Sequence, residues 1–151
     1  MKIVLATDGS EHSLAAIEEI ANRPFPANTE VRIVSAFESY SRYLYAPYPV
    51  SGSENYAEEI KFTAKKNAEE ALETAIKLIA GRNPDLLLTT EVLYGSPKDV
   101  ILEAADAFDA DLIVVGAHGQ GALERFLLGS VSQAVALHAK CSVEIVRKRS
   151  A

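Results

Sequence analysis

The segment from residue 116 to residue 130 holds residue types that could bind a phosphate. Gly119 and Gly121 would expose main-chain N–H groups with no Cβ in the way, and Gly116 would let the chain turn sharply off the preceding strand. Gly129 and Ser130 open the last predicted helix, whose unpaired N–H groups and positive dipole end favour an anion, and the serine adds a hydroxyl donor. The segment therefore predicts a phosphate-binding site, and we expect its ligand to be ATP or a close relative.

Two widespread phosphate-binding loops do not fit this segment. A Walker loop needs Gly-Lys followed by Ser or Thr, which does not occur in the chain. The dinucleotide fingerprint G-x-G-x-x-G fails because the third glycine position, counted from Gly119, is Glu124. On spacing alone a second interpretation stays open, in which the glycines serve only turns and close packing.

Other groups of reactive side chains give weaker signals. Asp8, His118 and Ser130 could be imagined as a hydrolase triad, but the chain has no nucleophile elbow of the form G-x-S-x-G. His12, His118 and His138 lack the spacing of metal ligands. Two interpretations of His118 stay open, a phosphate contact and an exposed loop histidine. We therefore predict no catalytic residue and no metal ligand.

The composition describes an ordinary globular chain of single-domain size. It has 151 residues, of which 48% are hydrophobic and 24% charged, and its net charge is −6. The one basic run, at 147–149, is interpreted as a solvated tail, so no nucleic-acid partner is predicted. No apolar run approaches the roughly 20 residues of a membrane span. The single cysteine, Cys141, predicts a reducing, cytoplasmic setting and is interpreted as a small buried residue.

The predicted elements place the glycine-rich segment at one edge of a parallel sheet. Strands are predicted at 3–6, 31–37, 86–93, 112–115 and 142–145, and the first and fourth read as buried on both faces. Helices are predicted after Ser10 and Ser96, over 54–80 with Gly81 as the terminating residue, and over 130–139. This alternation predicts one α/β domain, with a five-stranded parallel sheet and helices on both faces. If the sheet changes direction beside strand one, ligands should bind at the carboxyl ends of strands one and four, beside Asp8 and Gly116.

The first helix should turn one face towards the core. Leu14, Ile17 and Ala21 lie at helical spacing after the cap residue. Residues 22–24 include a proline and should end the helix. We therefore expect these three side chains to be buried.

A tyrosine-rich segment, 38–55, separates the second strand from the long helix. It contains Tyr40, Tyr43, Tyr45, Pro47, Tyr48 and Pro49. Long loops inside compact domains are unusual and often functional. Two interpretations stay open: a surface loop packed on the nearest helix, and a lid or contact for a protein partner.

The spacing of the glycine-rich segment resembles the nucleotide-binding signature of the universal stress protein family, G-x2-G-x9-G-[S/T]. Its positions here are Gly116, Gly119, Gly129 and Ser130. Four further stretches are similar to the family in the same order: 2–10, 95–97, the strand entering the signature at 111–116, and 141–147, while 127–132 is close to the commonest form of the signature's end. The resemblance covers nearly the whole chain and implies a Rossmann-like fold of the adenine nucleotide alpha hydrolase-like type, as one universal stress protein domain over 1–151.

The resemblance also implies a set of nucleotide-binding residues. Asp8, with Thr7 beside it, would contact the nucleoside, and the main chain near Ala36 would meet adenine. The full set that it implies is Ala6, Thr7, Asp8, Ala36, Val115, Gly116, His118, Gly119, Gly129, Ser130, Val131 and Ser132. The family has members that bind nucleotide and members that do not, and the intact signature places this chain with the binders. The implied cofactor is ATP, with Mg or Mn bound through the phosphates.

Three functions are weighed on this basis. The first is a nucleotide-dependent regulator in the stress response, which would dimerise through the C-terminal strand 141–147, as the family often does. The second is a weak ATP hydrolase of the same fold. The related ATP pyrophosphatases carry a Ser-Gly-Gly-x-Asp-Ser loop after strand one, whereas this chain has Thr7-Asp8-Gly9-Ser10-Glu11 there. The third is an interaction module that has lost nucleotide binding.

Overall fold

The computed structural model describes residues 1–38, 53–118 and 127–149. The elements follow in the order β1 Lys2–Ala6, α1 Glu11–Asn22, β2 Glu30–Phe37, α2 Ser53–Arg82, β3 Leu87–Tyr94, α3 Pro97–Phe108, β4 Leu112–Gly116, α4 Ser130–His138 and β5 Ser142–Val146. The predicted alternation of strands and helices is confirmed. Most of the tyrosine-rich segment, 39–52, lies outside the described residues.

The five strands form one parallel sheet in the order β3-β2-β1-β4-β5. The chain fills one half of the sheet from β1 outwards to β3, and then returns to the other side of β1 to build β4 and β5. The predicted change of direction beside strand one is therefore confirmed. At such a point the two neighbouring connections leave towards opposite faces and open a crevice at the carboxyl ends of β1 and β4.

Helices cover both faces of the sheet, as predicted. Ile3 and Leu5 of β1 point towards α1 and α2, and Val4 and Ala6 point towards α3 and α4. Because successive side chains of a strand alternate between faces, a strand that is covered on both sides must be apolar throughout. This requirement explains the continuous apolar runs of β1 and β4.

The structure corrects two local predictions. Leu14 is 37% exposed, whereas Ser13 is buried, so the core face of α1 runs through Ser13, Ala16, Ile17, Ile20 and Ala21. Gly81 does not end α2, which continues to Arg82. Just beyond this end, the Asn83 N–H still donates to the Ile79 carbonyl oxygen (2.7 Å), while its side chain donates to the carbonyl oxygens of Ile20 (3.3 Å) and Arg23 (3.0 Å).

The start of α3 brings an apolar wall to the carboxyl edge of the sheet. Gly95 has φ +138°, a conformation that L side chains rarely adopt, and a Cβ there would lie 2.7 Å from Val100 Cγ1. Ser96 is the N-cap, as predicted, although its side chain makes no capping bond, and Pro97 occupies the first turn. The turn aims the first residues of α3 across the end of the sheet. Among the described residues, no helix is both long and apolar enough to cross a membrane.

Candidate functional site

A cavity of about 550 Å³ lies over the carboxyl ends of β2, β1 and β4. Its lining includes these predicted site residues: Ala6, Thr7, Asp8, Ala36, Val115, Gly116, His118, Gly129, Ser130, Val131 and Ser132. Gly119, the remaining predicted residue, lies outside the described part of the chain. The fold therefore brings together residues from four separate stretches of sequence, while the nucleotide contact of each stays a prediction.

The turn after β1 is held by a chain of hydrogen bonds that runs through Thr7. The Gly9 N–H donates to Thr7 Oγ1 (3.3 Å), and the Thr7 hydroxyl donates to Ser13 Oγ (3.1 Å). Ser13 in turn donates its hydroxyl to the Ser10 carbonyl oxygen (3.0 Å), and its N–H donates to Ser10 Oγ (3.2 Å). Ser10 is thus the N-cap of α1, as predicted. Because the Thr7 hydroxyl is used within this network, its contribution is to shape the turn.

This turn places Asp8 in the cavity. Asp8 Oδ1 accepts the Ser10 N–H at 2.9 Å, which is the geometry of an Asx turn and orients the carboxylate. Asp8 is the only carboxylate that lines the cavity in the described residues, and that lining includes no Lys or Arg. A carboxylate at this point accepts hydrogen bonds from hydroxyl groups such as those of a ribose, and would repel a phosphate.

Gly116 is a glycine because two backbones meet there. A Cβ at this position would lie 2.6 Å from the carbonyl oxygen of His12 and 3.0 Å from the Ser13 nitrogen. The sharp turn expected at Gly116 is not the reason, since it is the last residue of β4 and positive φ values occur at other glycines, Gly9 and Gly95. The glycine lets the first turn of α1 pack directly on the end of β4, which narrows the floor of the cavity.

The first turn of α4 faces the cavity with its N–H groups. Gly129 is the N-cap, and its own N–H donates to the Ala117 carbonyl oxygen at 2.8 Å. The buried Ser132 hydroxyl bonds the carbonyl oxygens of Ala117 (2.9 Å) and Gly129 (3.0 Å). These bonds fasten the start of α4 to the chain leaving β4. The N–H groups of Ser130, Val131 and Ser132 are in the first turn and have no intrahelical acceptor, so they can bind an anion.

His118 lies at the same end of the cavity and contacts a residue that sequence analysis did not connect with it. The His12 and His118 rings are 5.0 Å apart between centroids, with an angle of 68° between their planes. His118 is buried. His138, the third histidine, is exposed at the end of α4 and does not line the cavity. No spacing in the sequence predicts the pair, because His12 is in α1 and His118 follows β4.

The opposite end of the cavity, over β2, is mainly apolar and was also missed. It is lined by Phe37, Ala64, Asn67, Ala68, Pro97 and Ile101. Ala64 and Ala68 lie four residues apart on α2, and this helical spacing is the only signal for them in the sequence. Neighbouring strands lie roughly 4.8 Å apart, so a ligand reaching from β2 to β4 must span roughly 10 Å.

Comparison with known proteins agrees with this architecture. Residues 1–147 match the model of the universal stress protein family. The chain belongs to the universal stress protein family. One of its relatives is universal stress protein MJ0531 of Methanocaldococcus jannaschii, which is 36% identical over 97% of this chain and 82% of the relative. Another is a Thermus aquaticus universal stress protein, which is 34% identical over 96% of this chain and 97% of the relative.

Solved structures show the same fold. This universal stress protein superposes on protein MJ0577 with a TM-score of 0.82 at 23% identity, over 99% of this chain and 97% of the other. A universal stress protein in complex with cAMP is 27% identical over 97% and 96%, with a TM-score of 0.55. An Arabidopsis thaliana family protein with AMP bound is 17% identical over 99% and 93%, with a TM-score of 0.64. The five-stranded parallel sheet is thus the fold of this family.

Proposed function

We propose that this universal stress protein binds an adenine nucleotide, ATP in the first place, and acts as a nucleotide-dependent regulator in the stress response. The observation that carries the proposal is the arrangement of one cavity. It has an apolar end over β2, a carboxylate at Asp8 in the middle and the N–H groups of α4 at the far end. This order matches the order of base, ribose and phosphates in a nucleotide.

The main chain of β2 supplies a pair of groups suited to a base. The Thr7 N–H donates to the Val34 carbonyl oxygen at 2.9 Å, so the main-chain groups of Val34 face β1. Main-chain groups in a parallel sheet alternate between the two neighbouring strands, so those of Ala36 face the same side, beyond the end of β1. Phe37 faces the other way, and its carbonyl oxygen accepts the Gly95 N–H at 3.0 Å. Ala36 therefore offers the cavity one donor and one acceptor, which complement N1 and the 6-amino group of adenine.

The proposed metal follows from the charge that the phosphate end of the cavity would leave on a triphosphate. The described lining contributes N–H groups, the Ser130 hydroxyl and the positive end of the α4 dipole, but no Lys or Arg. A triphosphate would keep much of its charge in this environment, which favours binding of the Mg or Mn complex. We propose that the metal is held through the phosphates, where it would neutralise charge. The structure of a universal stress protein with cAMP, 27% identical to this chain, supports an adenine nucleotide as the ligand class.

The same lining favours binding over hydrolysis. Phosphoryl transfer needs a group that orients the attacking water and donors for the charge that develops in the transition state. Asp8, the carboxylate of the described lining, belongs to the nucleoside end. Interactions that bind substrate and transition state equally do not raise turnover. We expect phosphate release from ATP well below about 1 per second, the lower end of usual enzyme turnover. Faster release that is lost in Gly129→Val would favour the hydrolase instead.

A nucleotide panel tests the proposed function. ATP, ADP, AMP, cAMP and GTP are titrated calorimetrically into the protein freed of bound nucleotide, with Mg present, and the released ligand is identified by mass spectrometry. We expect the adenine nucleotides to bind and GTP to bind at least about tenfold more weakly, because its 6-oxo group presents an acceptor to the acceptor of Ala36. Absence of binding for every adenine nucleotide would leave the interaction module as the better description.

We further propose that the protein is a homodimer through the strand 141–147. β5 is at one edge of the sheet and pairs only with β4 in the described structure. The Ala117 N–H donates to the Val146 carbonyl oxygen at 2.8 Å, so alternate residues, Val143 and Ile145, turn their main-chain groups outwards. Exposed groups of this kind are a template for pairing with a second chain, and a two-fold axis would close the edge.

The outward orientation makes the dimer testable with little damage to the sheet. Val143→Pro removes an outward-facing N–H, and Val143→Ala is the control that keeps it. We expect the proline variant to be monomeric by light scattering under conditions where the wild type and the alanine variant are dimeric. A wild type that is monomeric at tens of micromolar, roughly the concentration at which a useful dimer should form, would contradict the proposal.

Two further assignments remain proposals. We propose a cytoplasmic setting, which is in keeping with the single cysteine of the chain. We also propose that residues 1–151 form one universal stress protein domain, of which the family match covers 1–147.

A further inference from the structure

Among the described residues that line the cavity, His118 is the one side chain that can carry a positive charge at the proposed phosphate end. Asp8 and His118 are the only titratable residues in the described lining, and they are opposite in their effect on a phosphate. Histidine changes its charge between about pH 5 and 8. Within the described lining, His118 is therefore the side chain that can meet a phosphate at the first turn of α4 by taking up a proton.

The His118 ring is held in place by His12. Its centroid lies 5.0 Å from that of His12, and the 68° angle puts the edge of one ring against the face of the other. The main chain of His12 packs on the end of β4, because its carbonyl oxygen lies 2.6 Å from where a Cβ on Gly116 would be. His12 Nδ1 is buried and has no hydrogen-bond partner among the described residues. The contact between the two rings is therefore one of packing, and His12 Nδ1 adds no hydrogen bond to it among the described residues.

Ionisable groups on the elements that carry or face the two rings include Glu11 and Asp8. On α1, next to His12, Glu11 is paired with Lys148 beyond β5, and this contact lowers the pKa of the Glu11 carboxyl. On the β1 turn, Asp8 shares the cavity with His118. The α4 turn facing His118, residues 130–132, carries no ionisable side chain.

We propose that His118 takes up one proton when the phosphates of the nucleotide bind, and that His12 is the positioning residue that holds the His118 ring for this contact. The inference rests on the proposed function. No covalent step is involved: the proton comes from solvent and binds a ring nitrogen of His118, and the gain is a charge-assisted hydrogen bond to the phosphate. Nucleotide affinity consequently falls as pH rises through the histidine range.

Calorimetry in buffers of different ionisation enthalpy measures the proton count directly. The full chain is titrated with ATP, AMP and adenosine at pH 7.5 in HEPES and in Tris. We expect net uptake approaching one proton for ATP and AMP relative to His118→Gln, and no difference for adenosine, which has no phosphate. At pH 7.5 a phosphate monoester, whose second pKa is about 6, is almost fully ionised, so the phosphates themselves contribute little to the proton count. Between pH 6.5 and 8.5 we expect the wild-type affinity for AMP to fall by up to about tenfold per pH unit relative to the variant.

Variants of His12 test its positioning role. His12→Ala removes the ring and should lower both the AMP affinity and the proton uptake, whereas His12→Phe restores the ring contact and should recover most of both. The exposed His138→Gln is the control and should leave proton uptake unchanged. A two-dimensional NMR titration of the histidine ring resonances, assigned from these variants, should show His118 changing its protonation on addition of AMP. In His12→Ala, the His118 resonance should be broadened or should shift in the opposite direction.

The outcomes separate this inference from the function on which it rests. If AMP and ATP bind, but wild type and His118→Gln take up the same number of protons, the inference is wrong and the proposed function stands. If His12→Ala binds and titrates as the wild type does, His12 has no positioning role. If no adenine nucleotide binds in any buffer, both the proposed function and this inference are overturned.

Discussion

A Cβ atom on Gly116 would lie 2.6 Å from the carbonyl oxygen of His12, so the end of β4 and the first turn of α1 are in main-chain contact. Neither backbone can easily move away from the other, because β4 is an interior strand and His12 is in the first turn of α1, close to its N-cap Ser10. The contact sets the position of the His12 main chain, and the His12 ring packs against that of His118. One glycine thus links the packing of the sheet to the geometry of the cavity.

The first prediction concerns this contact. Gly116→Ala should lower the free energy of unfolding by about 1–3 kcal/mol, because a methyl group is forced against a carbonyl oxygen. It should also weaken AMP binding by shifting the two histidines. Urea denaturation measures the first effect and calorimetry the second.

Gly81→Ala is the matched control for that substitution. Gly81 is exposed near the end of α2, and a Cβ there would meet nothing within 4 Å. Alanine is the better helix former, so this variant should be more stable by up to about 1 kcal/mol. Equal losses of stability in both variants would show that the crowding at Gly116 is not the cause.

The second prediction concerns the mouth of the phosphate end. Gly129 has φ −63°, which a branched residue can adopt, and it lines the cavity as the N-cap of α4. Gly129→Val should therefore fold, at a cost of about 1 kcal/mol for the poorer cap, and should abolish ATP binding by occupying the approach of the phosphates. Undiminished ATP affinity in a folded valine variant would remove the proposed site from this end of the cavity.

The third prediction separates two serines in the same helical turn. Ser130 is exposed to the cavity, and its hydroxyl makes no bond within the described residues, so Ser130→Ala should weaken ATP binding by about 1–3 kcal/mol with little change in stability. Ser132 is buried and bonds two carbonyl oxygens, so Ser132→Ala should lower the free energy of unfolding by about 1–2 kcal/mol. The opposite pattern of losses, in paired calorimetry and urea experiments, would contradict these roles.

The fourth prediction concerns alkaline pH. Cys141 is half-buried and not fully buried as predicted, because it only flanks the core between the sheet and α3 and α4, and this partial burial raises the pKa of its thiol. Because the thiol pKa is higher in the folded state, the protonated thiol contributes to the free energy of unfolding. This contribution is complete below the unfolded pKa of about 8.5 and is lost as pH rises through the higher folded value. Between pH 7 and pH 10 under reducing conditions, the wild type should therefore lose more stability in urea than Cys141→Ala does. Alkylation of the native thiol at pH 8 should also be slower than in the unfolded chain.

Much of the fold could be predicted from local patterns. The apolar runs of β1 and β4 record that both faces are covered, and the caps at Ser10 and Ser96 mark where α1 and α3 begin. The errors at Leu14 and Gly81 lie close to tertiary contacts that local patterns do not record. The core side of α1 depends on which residues meet β4 and α2, and Asn83, just beyond the end of α2, bonds across to the end of α1.

The sequence by itself determined the elements, their order, the signature glycines and the carboxylate of Asp8, because each is recorded in spacing along the chain. Only the tertiary structure decided which of them meet. The strand order places β2 and β4 on either side of β1, and this arrangement brings Ala36, Asp8 and Ser130 into one cavity. His12 and His118 are in contact because Gly116 lets two backbones approach within the reach of a side chain. A contact between residues 106 positions apart leaves no period in the sequence, since it depends on packing distances in three dimensions.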